Sequence, residues 1–148
     1  NYLRADEIAE DLLGDKFFIN ENGKYKDASH LIKVGGKENR QALGITVSDF
    51  NNDGFPDIYI SNDYDGRDYY LMNKRGQFFE ENIKTSFSKT SWFSMGVDAA
   101  DINNDGWQDI VTLDMSSESN FRNKLFMLSM DTDRFEKNAR EEHYQYMN

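Results

Sequence analysis

Apolar residues alternate with polar ones, or form short apolar runs, in brief segments along most of the chain. A period of two is the spacing of a β-strand with one buried face, whereas a short apolar run bounded by turn residues is typical of a strand buried on both faces. These patterns predict strands at residues 16–20, 24–28, 44–48, 57–61, 69–73, 77–81, 95–100 and 109–113.

Short polar segments join these strands into hairpins. Asn22-Gly23 favours the positive backbone angles of a tight hairpin turn, and Lys74-Arg75-Gly76 is a second short glycine turn. Residues 43–82 would hold four consecutive antiparallel strands, which is the composition of one complete propeller blade. Residues 15–28 would be the last hairpin of a preceding blade, and residues 95–114 the first hairpin of the following one.

The apolar spacing changes in the last thirty residues. Between Phe121 and Phe135 it fits a helix better than a strand, with charged residues on the opposite face. We therefore predict a helical insertion or arm over residues 118–148. The simplest interpretation is a helix packed on the sheet, and a dedicated partner-binding helix is the alternative.

One segment occurs twice. Residues 44–60 align without gaps to residues 96–112, with eight of the seventeen positions identical and an offset of 52 residues. Repeats of about this length are typical of solenoids and propellers. The chain is therefore predicted to be all-β: a fragment of a propeller with about one whole blade and two half-blades, followed by the helical segment.

The two copies of the repeat agree best in an acidic loop. It has oxygen-bearing residues at positions 1, 3, 5 and 9 and a glycine at position 6. Hard cations such as calcium prefer ligands of this kind. An EF-hand would need a glutamate at position 12, where Ile60 and Thr112 stand. The alternative is that both loops are simple turns with solvated acids, since Asn, Asp and Gly favour turns in any case.

We predict two calcium sites with a common ligand pattern. It consists of four side chains and the backbone carbonyl of position 7, with water completing the coordination. The predicted ligands are Asp49, Asn51, Asp53, Phe55 (carbonyl) and Asp57 in one site, and Asp101, Asn103, Asp105, Trp107 (carbonyl) and Asp109 in the other.

Composition narrows the classes of partner. The net charge is −10, and ten of the 27 acidic residues lie in residues 49–68 and 101–114, which argues against binding of nucleic acid. Cysteine is absent, which excludes disulfides and thiolate zinc sites, and no apolar run is long enough for membrane insertion. Since weak calcium loops fill outside the cytoplasm, we expect an extracellular or cell-envelope location.

Catalytic signatures are missing from the sequence. Asp63, Asp65 and Asp114 lie outside the acidic loops, but nothing in their spacing selects a catalytic pair. His30 and His143 belong to no nucleophile or metal motif. We therefore expect no enzymatic activity. Since the chain begins at Asn1 inside the repeat pattern, we also expect it to be a piece of a longer protein.

The acidic loops, the segment 61–63 and the aromatic hairpin at residues 68–79 resemble FG-GAP or VCBS repeats, the units of integrin-α-type propellers. Residues 96–106, 113–115 and 144–147 look like bacterial secreted proteins related to the cartilage acidic protein family, which often carry an ASPIC/UnbV module. The resemblance covers about residues 15–148. It implies the same calcium ligands, a propeller of seven or eight blades, and a role in adhesion.

Two functions are consistent with this resemblance. The first is a calcium-binding module of a secreted or cell-surface protein that binds an extracellular protein or polysaccharide, with neighbouring blades of the same protein covering its open sides. The second is a structural propeller scaffold within a larger cell-envelope enzyme or uptake system.

Overall fold

The computed structural model describes residues 16–33, 41–63, 67–115, 119 and the strand at 144–146. Within these residues the expectation of a mostly β-fold is confirmed, with one single-turn α-helix and one 3-10 turn, Ser29–Leu31. The elements are β1 Phe18–Glu21, β2 Lys24–Asp27, β3 Ile32–Lys33, β4 Gln41–Ser48, β5 Asp57–Asp63, β6 Tyr69–Asn73, β7 Phe79–Glu81, α1 Ile83–Ser86, β8 Lys89–Ser91, β9 Ser94–Ala100, β10 Asp109–Asp114 and β11 Tyr144–Tyr146.

The largest sheet has five strands in the order β3-β7-β6-β5-β4. Strands β4 to β7 form an antiparallel meander, as expected for residues 43–82, and the short strand β3 adds to its edge in parallel with β7. At the turn between β6 and β7, Arg75 and Gly76 have φ angles of 54° and 74°. This left-handed backbone is what a tight turn between twisted antiparallel strands requires.

Two smaller hairpins flank this sheet in the sequence. Strands β1 and β2 pair around Asn22 and Gly23, both with positive φ, and β9 pairs with β10. Strand β8 pairs in parallel with β11, and this pairing corresponds to that of β3 with β7. In both cases a short strand just before the first long strand of a repeat joins a strand much later in the chain.

The strand β11 corrects one prediction. Residues 118–148 were expected to be helical, but residues 144–146 are extended and pair with Lys89–Ser91. Aromatic residues favour strands, and β8 offers backbone groups that satisfy the hydrogen bonds of β11. Apart from Ser119, the rest of the predicted helical segment lies outside the described residues.

The central strands β5 and β6 of the five-stranded sheet are buried on both faces. One face carries Ile58, Ile60, Tyr69 and Leu71, with Phe17, Ile32 and Phe79 packed against them. The opposite face carries Tyr59 and Tyr70, together with Ile83 of α1 and the partly buried Phe50, Met72, Phe87, Val97 and Ile110. Since Val97 and Ile110 belong to β9 and β10, the second face packs against the second repeat.

Strands β4 and β9 approach closely at a glycine. A Cβ atom at Gly44 would lie 2.7 Å from Ser61 Oγ, 2.9 Å from the backbone nitrogen of Val97 and 3.1 Å from Gly96 Cα. Two of these three neighbours are backbone atoms, which cannot rotate away. A side chain at position 44 would therefore force the two repeats apart.

A Gly44→Ala substitution should lower the free energy of unfolding by about 1–3 kcal/mol, because it overpacks this contact. Chemical denaturation monitored by fluorescence measures the change. Gly96→Ala is the matched control, since a Cβ there would meet no atom within 4 Å. Equal stability of the two variants would contradict the close approach of β4 and β9.

Asp68 is a buried carboxylate directly before β6. Its two oxygens accept hydrogen bonds of 2.8 Å from the Tyr59 hydroxyl and from the Asn62 backbone N–H. Burial raises the pKa of Asp68 to about 6, even though both hydrogen bonds oppose the rise. The carboxylate therefore holds β5 to the residues that begin β6, although burial of its negative charge is unfavourable.

This raised pKa predicts a pH dependence of stability. Between the ordinary value of 3.8 and about 6 the folded state binds the proton and the unfolded state does not, so the contribution of Asp68 falls as the pH rises through this window. The loss is about 3 kcal/mol, since one pKa unit is about 1.4 kcal/mol. Urea denaturation between pH 4 and pH 7 should show it in the native chain but not in Asp68→Asn. Parallel profiles would contradict the assignment, and Asp98→Asn is the exposed control.

Candidate metal centres in two acidic loops

The two acidic loops occupy equivalent places in the fold. The first acidic loop, residues 49–57, connects β4 to β5, and the second acidic loop, residues 101–109, connects β9 to β10. Each loop begins where an antiparallel strand ends and closes at the first residue of the next strand. This is the strand–loop–strand setting that the sequence predicted for both sites.

Three predicted ligands of the first loop are drawn together by hydrogen bonds. The carboxylate of Asp49 accepts the backbone N–H groups of Asp53 at 3.0 Å and Gly54 at 2.8 Å. The Asn51 side chain accepts the Asp53 N–H at 3.0 Å and donates to Asp53 Oδ2 at 3.0 Å. Asp53 Oδ1 accepts the N–H of Phe55 at 2.9 Å. The side chains of positions 1, 3 and 5 are therefore linked in one hydrogen-bonded cluster.

The second loop repeats these contacts atom for atom. Asp101 accepts the N–H groups of Asp105 and Gly106 at 3.0 and 2.9 Å. Asn103 accepts the Asp105 N–H and donates to Asp105 Oδ2, both at 2.9 Å. Asp105 Oδ1 accepts the Trp107 N–H at 2.8 Å. The two loops therefore share their hydrogen-bond geometry as well as their sequence.

The backbone of both loops turns at the same two positions. Asn52 and Asn104 at position 4 have φ angles of 55° and 58°, and Gly54 and Gly106 at position 6 have φ angles of 88° and 87°. Asparagine is the L-residue that enters the left-handed region most readily, and glycine enters it without a Cβ penalty. These residues let the chain reverse its direction within each loop.

The closing aspartates at position 9 differ between the loops. Asp57 is completely buried and accepts the Tyr70 hydroxyl at 2.8 Å and the Asn73 N–H at 2.7 Å. Burial raises the pKa of Asp57, and these hydrogen bonds only partly oppose the rise. Asp109 is half-buried, and its Oδ2 accepts the N–H of Ile102 at 3.1 Å. The first loop is therefore held to its sheet more firmly than the second.

The residues at position 2 show the same contrast. Phe50 packs edge-to-face on Tyr70 with ring centroids 5.9 Å apart. Ile102, at the same position of the second loop, is 61% exposed and therefore does not anchor its loop in the core as Phe50 does. Tyr70 belongs to the third strand of the five-stranded sheet, and β9 and β10 have no such third strand among the residues that the structure describes.

The donor set fits a hard cation. Each loop offers three carboxylates, one side-chain amide oxygen and backbone carbonyls, and these are the oxygen types that calcium prefers. In the described ranges, no three acidic or histidine side chains converge as a ready-made cluster. The position 9 carboxylate is in both loops hydrogen-bonded to the backbone of its own repeat. The fit of calcium to each loop therefore depends on the oxygen-bearing side chains at positions 1, 3 and 5, which have the same arrangement in both loops. The carbonyl of position 7 follows shortly after them in the sequence.

Sequence reasoning missed three residues around the loops. Tyr70 and Asn73 hold Asp57 from β6, and Asn52 donates its side-chain amide to the carbonyl of Gly106. The first two lie 13 and 16 residues from Asp57, so only strand pairing brings them together. Asn52 could have been noticed, because the internal repeat preserves an asparagine at its position.

The other polar residues considered in the sequence lie in different surroundings. His30 is exposed, Asp63 is half-buried, and the Asp114 carboxylate accepts the Ser91 hydroxyl at 2.6 Å. Asp65 and His143 lie outside the described residues. No helix in the described part is long and apolar enough to cross a membrane.

Comparison with known families identifies the type of repeat that contains the two loops. The family model for the FG-GAP-like repeat matches residues 49–112, which include both acidic loops in full. The FG-GAP part of the resemblance is therefore confirmed for this segment. FG-GAP-like repeats are structural or binding units rather than catalytic ones. Searches of curated proteins and of solved structures each gave no significant match.

The two closing aspartates should respond differently to substitution. An Asp57→Asn change places an amide NH₂ among N–H and O–H donors in a buried position, and an unsatisfied buried group costs about 1–3 kcal/mol. We expect Asp57→Asn to destabilise the calcium-free protein by about this amount and Asp109→Asn by much less. Urea denaturation in the presence of a chelator measures both, and equal effects would contradict the assigned contacts of Asp57.

Proposed function

We propose that residues 49–112 form a calcium-binding β-propeller-type module with one ion in each acidic loop. The observation that carries this proposal is the atom-for-atom repetition of the hydrogen bonds around Asp49, Asn51 and Asp53 in the second loop. Asn and Asp make such contacts in simple turns as well. What favours calcium is that both loops bring the same three oxygen-bearing side chains together at the spacing of calcium ligands.

The residues of each loop would share the ion in the same way. In the first, the side chains of Asp49, Asn51, Asp53 and Asp57 and the carbonyl of Phe55 would supply oxygen ligands. Asp101, Asn103, Asp105, Trp107 and Asp109 would do so in the second. A bound ion would neutralise the repulsion among the carboxylates of its loop and link two antiparallel strands at their ends. Calcium would thereby stabilise the sheet without taking part in any reaction.

The open side of the five-stranded sheet supports the proposal that neighbouring blades of the same protein cover it. Leu43, Ile45 and Val47 form a row along β4 and are 48%, 63% and 57% exposed. A contiguous apolar row on a β-strand is a liability for aggregation unless another element packs on it. The equivalent strand β9 already packs on the other side of β4 through Gly44. A further repeat would continue the same stacking.

The proposed role is binding or adhesion in a secreted or cell-surface protein. The absence of cysteine leaves calcium as the available cross-link for an extracellular module, and the acidic charge does not suit nucleic acid. An extracellular protein or a polysaccharide is the expected partner. This role requires no catalytic group, in keeping with the type of repeat that residues 49–112 match.

Calorimetric titration of the chelator-treated protein with calcium tests the proposal. We expect two calcium equivalents and no comparable response to magnesium, which demands a stricter octahedral geometry. Calcium at 100 times its dissociation constant should raise the free energy of unfolding by about 2.7 kcal/mol per site.

Substitutions assign the two sites. Asp53→Ala should abolish one equivalent and leave the other, and Asp105→Ala should do the reverse. Asp98→Ala removes an exposed acid outside both loops and should leave two equivalents. Two full-affinity ions in Asp53→Ala would refute the ligand assignment. A folded native chain that binds no calcium would refute the calcium proposal itself.

A further inference from the structure

The two acidic loops lie beside each other and are joined directly. The side-chain Nδ2 of Asn52 in the first loop donates a hydrogen bond of 3.2 Å to the carbonyl oxygen of Gly106 in the second. These residues are 54 positions apart in the sequence. The packing of β9 on β4 and β5 therefore brings two metal loops of successive repeats into contact.

Asn52 is held in place by its own loop. Its φ angle of 55° places it in the left-handed turn of the first loop. The peptide that follows it carries the N–H of Asp53, and this N–H donates to both Asp49 Oδ1 and Asn51 Oδ1. The orientation of Asn52 is thus fixed by two oxygen-bearing ligand side chains of the first site.

The acceptor is equally close to a ligand of the second site. The carbonyl of Gly106 belongs to the same peptide unit as the N–H of Trp107, and this N–H donates to Asp105 Oδ1 at 2.8 Å. A hydrogen bond to the oxygen of a peptide strengthens the N–H of that peptide as a donor. The Asn52 amide therefore orients and polarises the peptide that holds Asp105.

We propose that Asn52 couples the two calcium sites, so that an ion in the first acidic loop raises the affinity of the second. This inference rests on the calcium function proposed above. An ion held by Asp49 and Asn51 would restrict the motion of the peptide after Asn52. The Asn52 side chain would then be held more firmly on the carbonyl of Gly106, and the same peptide would hold the Asp105 carboxylate more firmly in place. By thermodynamic reciprocity, an ion in the second loop raises the affinity of the first by the same factor.

Coulomb repulsion between two divalent ions acts in the opposite direction, but it does not depend on the Asn52 side chain. The contribution of Asn52 can therefore be isolated by comparing variants that share the same charge. Asn104 provides the matched control. It has the same position in the second loop and a φ angle of 58°, and within the described residues its side chain bridges to no further loop.

The test is a calcium titration of Asn52→Gly and Asn104→Gly, with each change made in the native chain and in Asp53→Ala. Glycine keeps the left-handed backbone at both positions. The fluorescence of Trp107 reports the second loop, because the other tryptophan, Trp92, precedes β9 at the opposite end of that strand. Calorimetry in parallel gives the total number of ions bound.

We expect Asn52→Gly to weaken calcium binding in the second loop by about two- to tenfold, the range for one lost hydrogen bond. In Asp53→Ala, where the first loop holds no ion, Asn52→Gly should have a clearly smaller effect on the second loop. Asn104→Gly should leave the coupling unchanged. This pattern would support a coupling that needs both an ion in the first loop and the Asn52 amide.

The remaining outcomes overturn the inference in distinguishable ways. Two bound ions with the same second-loop affinity in Asn52→Gly and the native chain would refute the coupling and leave the calcium function intact. An equal loss in Asp53→Ala would show that Asn52 acts only on the structure of the second loop. A native chain that binds no calcium would overturn both proposals.

Discussion

The buried carboxylate of Asp57 is the contact on which the rest of this fold depends most. It ends the first acidic loop, begins β5 and accepts hydrogen bonds from Tyr70 and Asn73 on β6. A buried carboxylate is stable only when its oxygens are satisfied, so these contacts fix the register of β5 against β6. They also fix where the loop closes. One side chain thereby ties the geometry of a candidate ion site to the packing of the sheet.

Much of the strand pattern and the loop pair was predictable from the sequence. Strands β5, β6, β9 and β10 lie within one or two residues of their predicted positions, because hydrophobic alternation and turn residues act locally. The loops were predictable because an internal repeat supplies two copies of the same spacing. Only the FG-GAP-like assignment of residues 49–112 is confirmed by comparison, and the ligand set remains a proposal.

Long-range pairing explains what the sequence did not reveal. Strands β3 and β8 have only two and three residues, and each pairs with a strand more than forty residues later. The contacts of Asp57 with β6 likewise depend on strand register rather than on spacing. Strand β11 lies beyond the helical apolar spacing of residues 121–135, so extending the predicted helix to residue 148 had no local pattern behind it at residues 144–146. The extended structure there comes with its pairing to β8, which no local pattern reveals.

The parallel pairs β3–β7 and β8–β11 mean that the structural unit and the sequence repeat do not share their boundaries. Each short strand stands ahead of a repeat and pairs with a strand that follows the acidic loop of that repeat. A shortened version of the chain that ends at residue 112 would retain both acidic loops but leave β8 without its partner. Fragments for study of this protein are therefore best divided by strand partners, with β8 and β11 kept together.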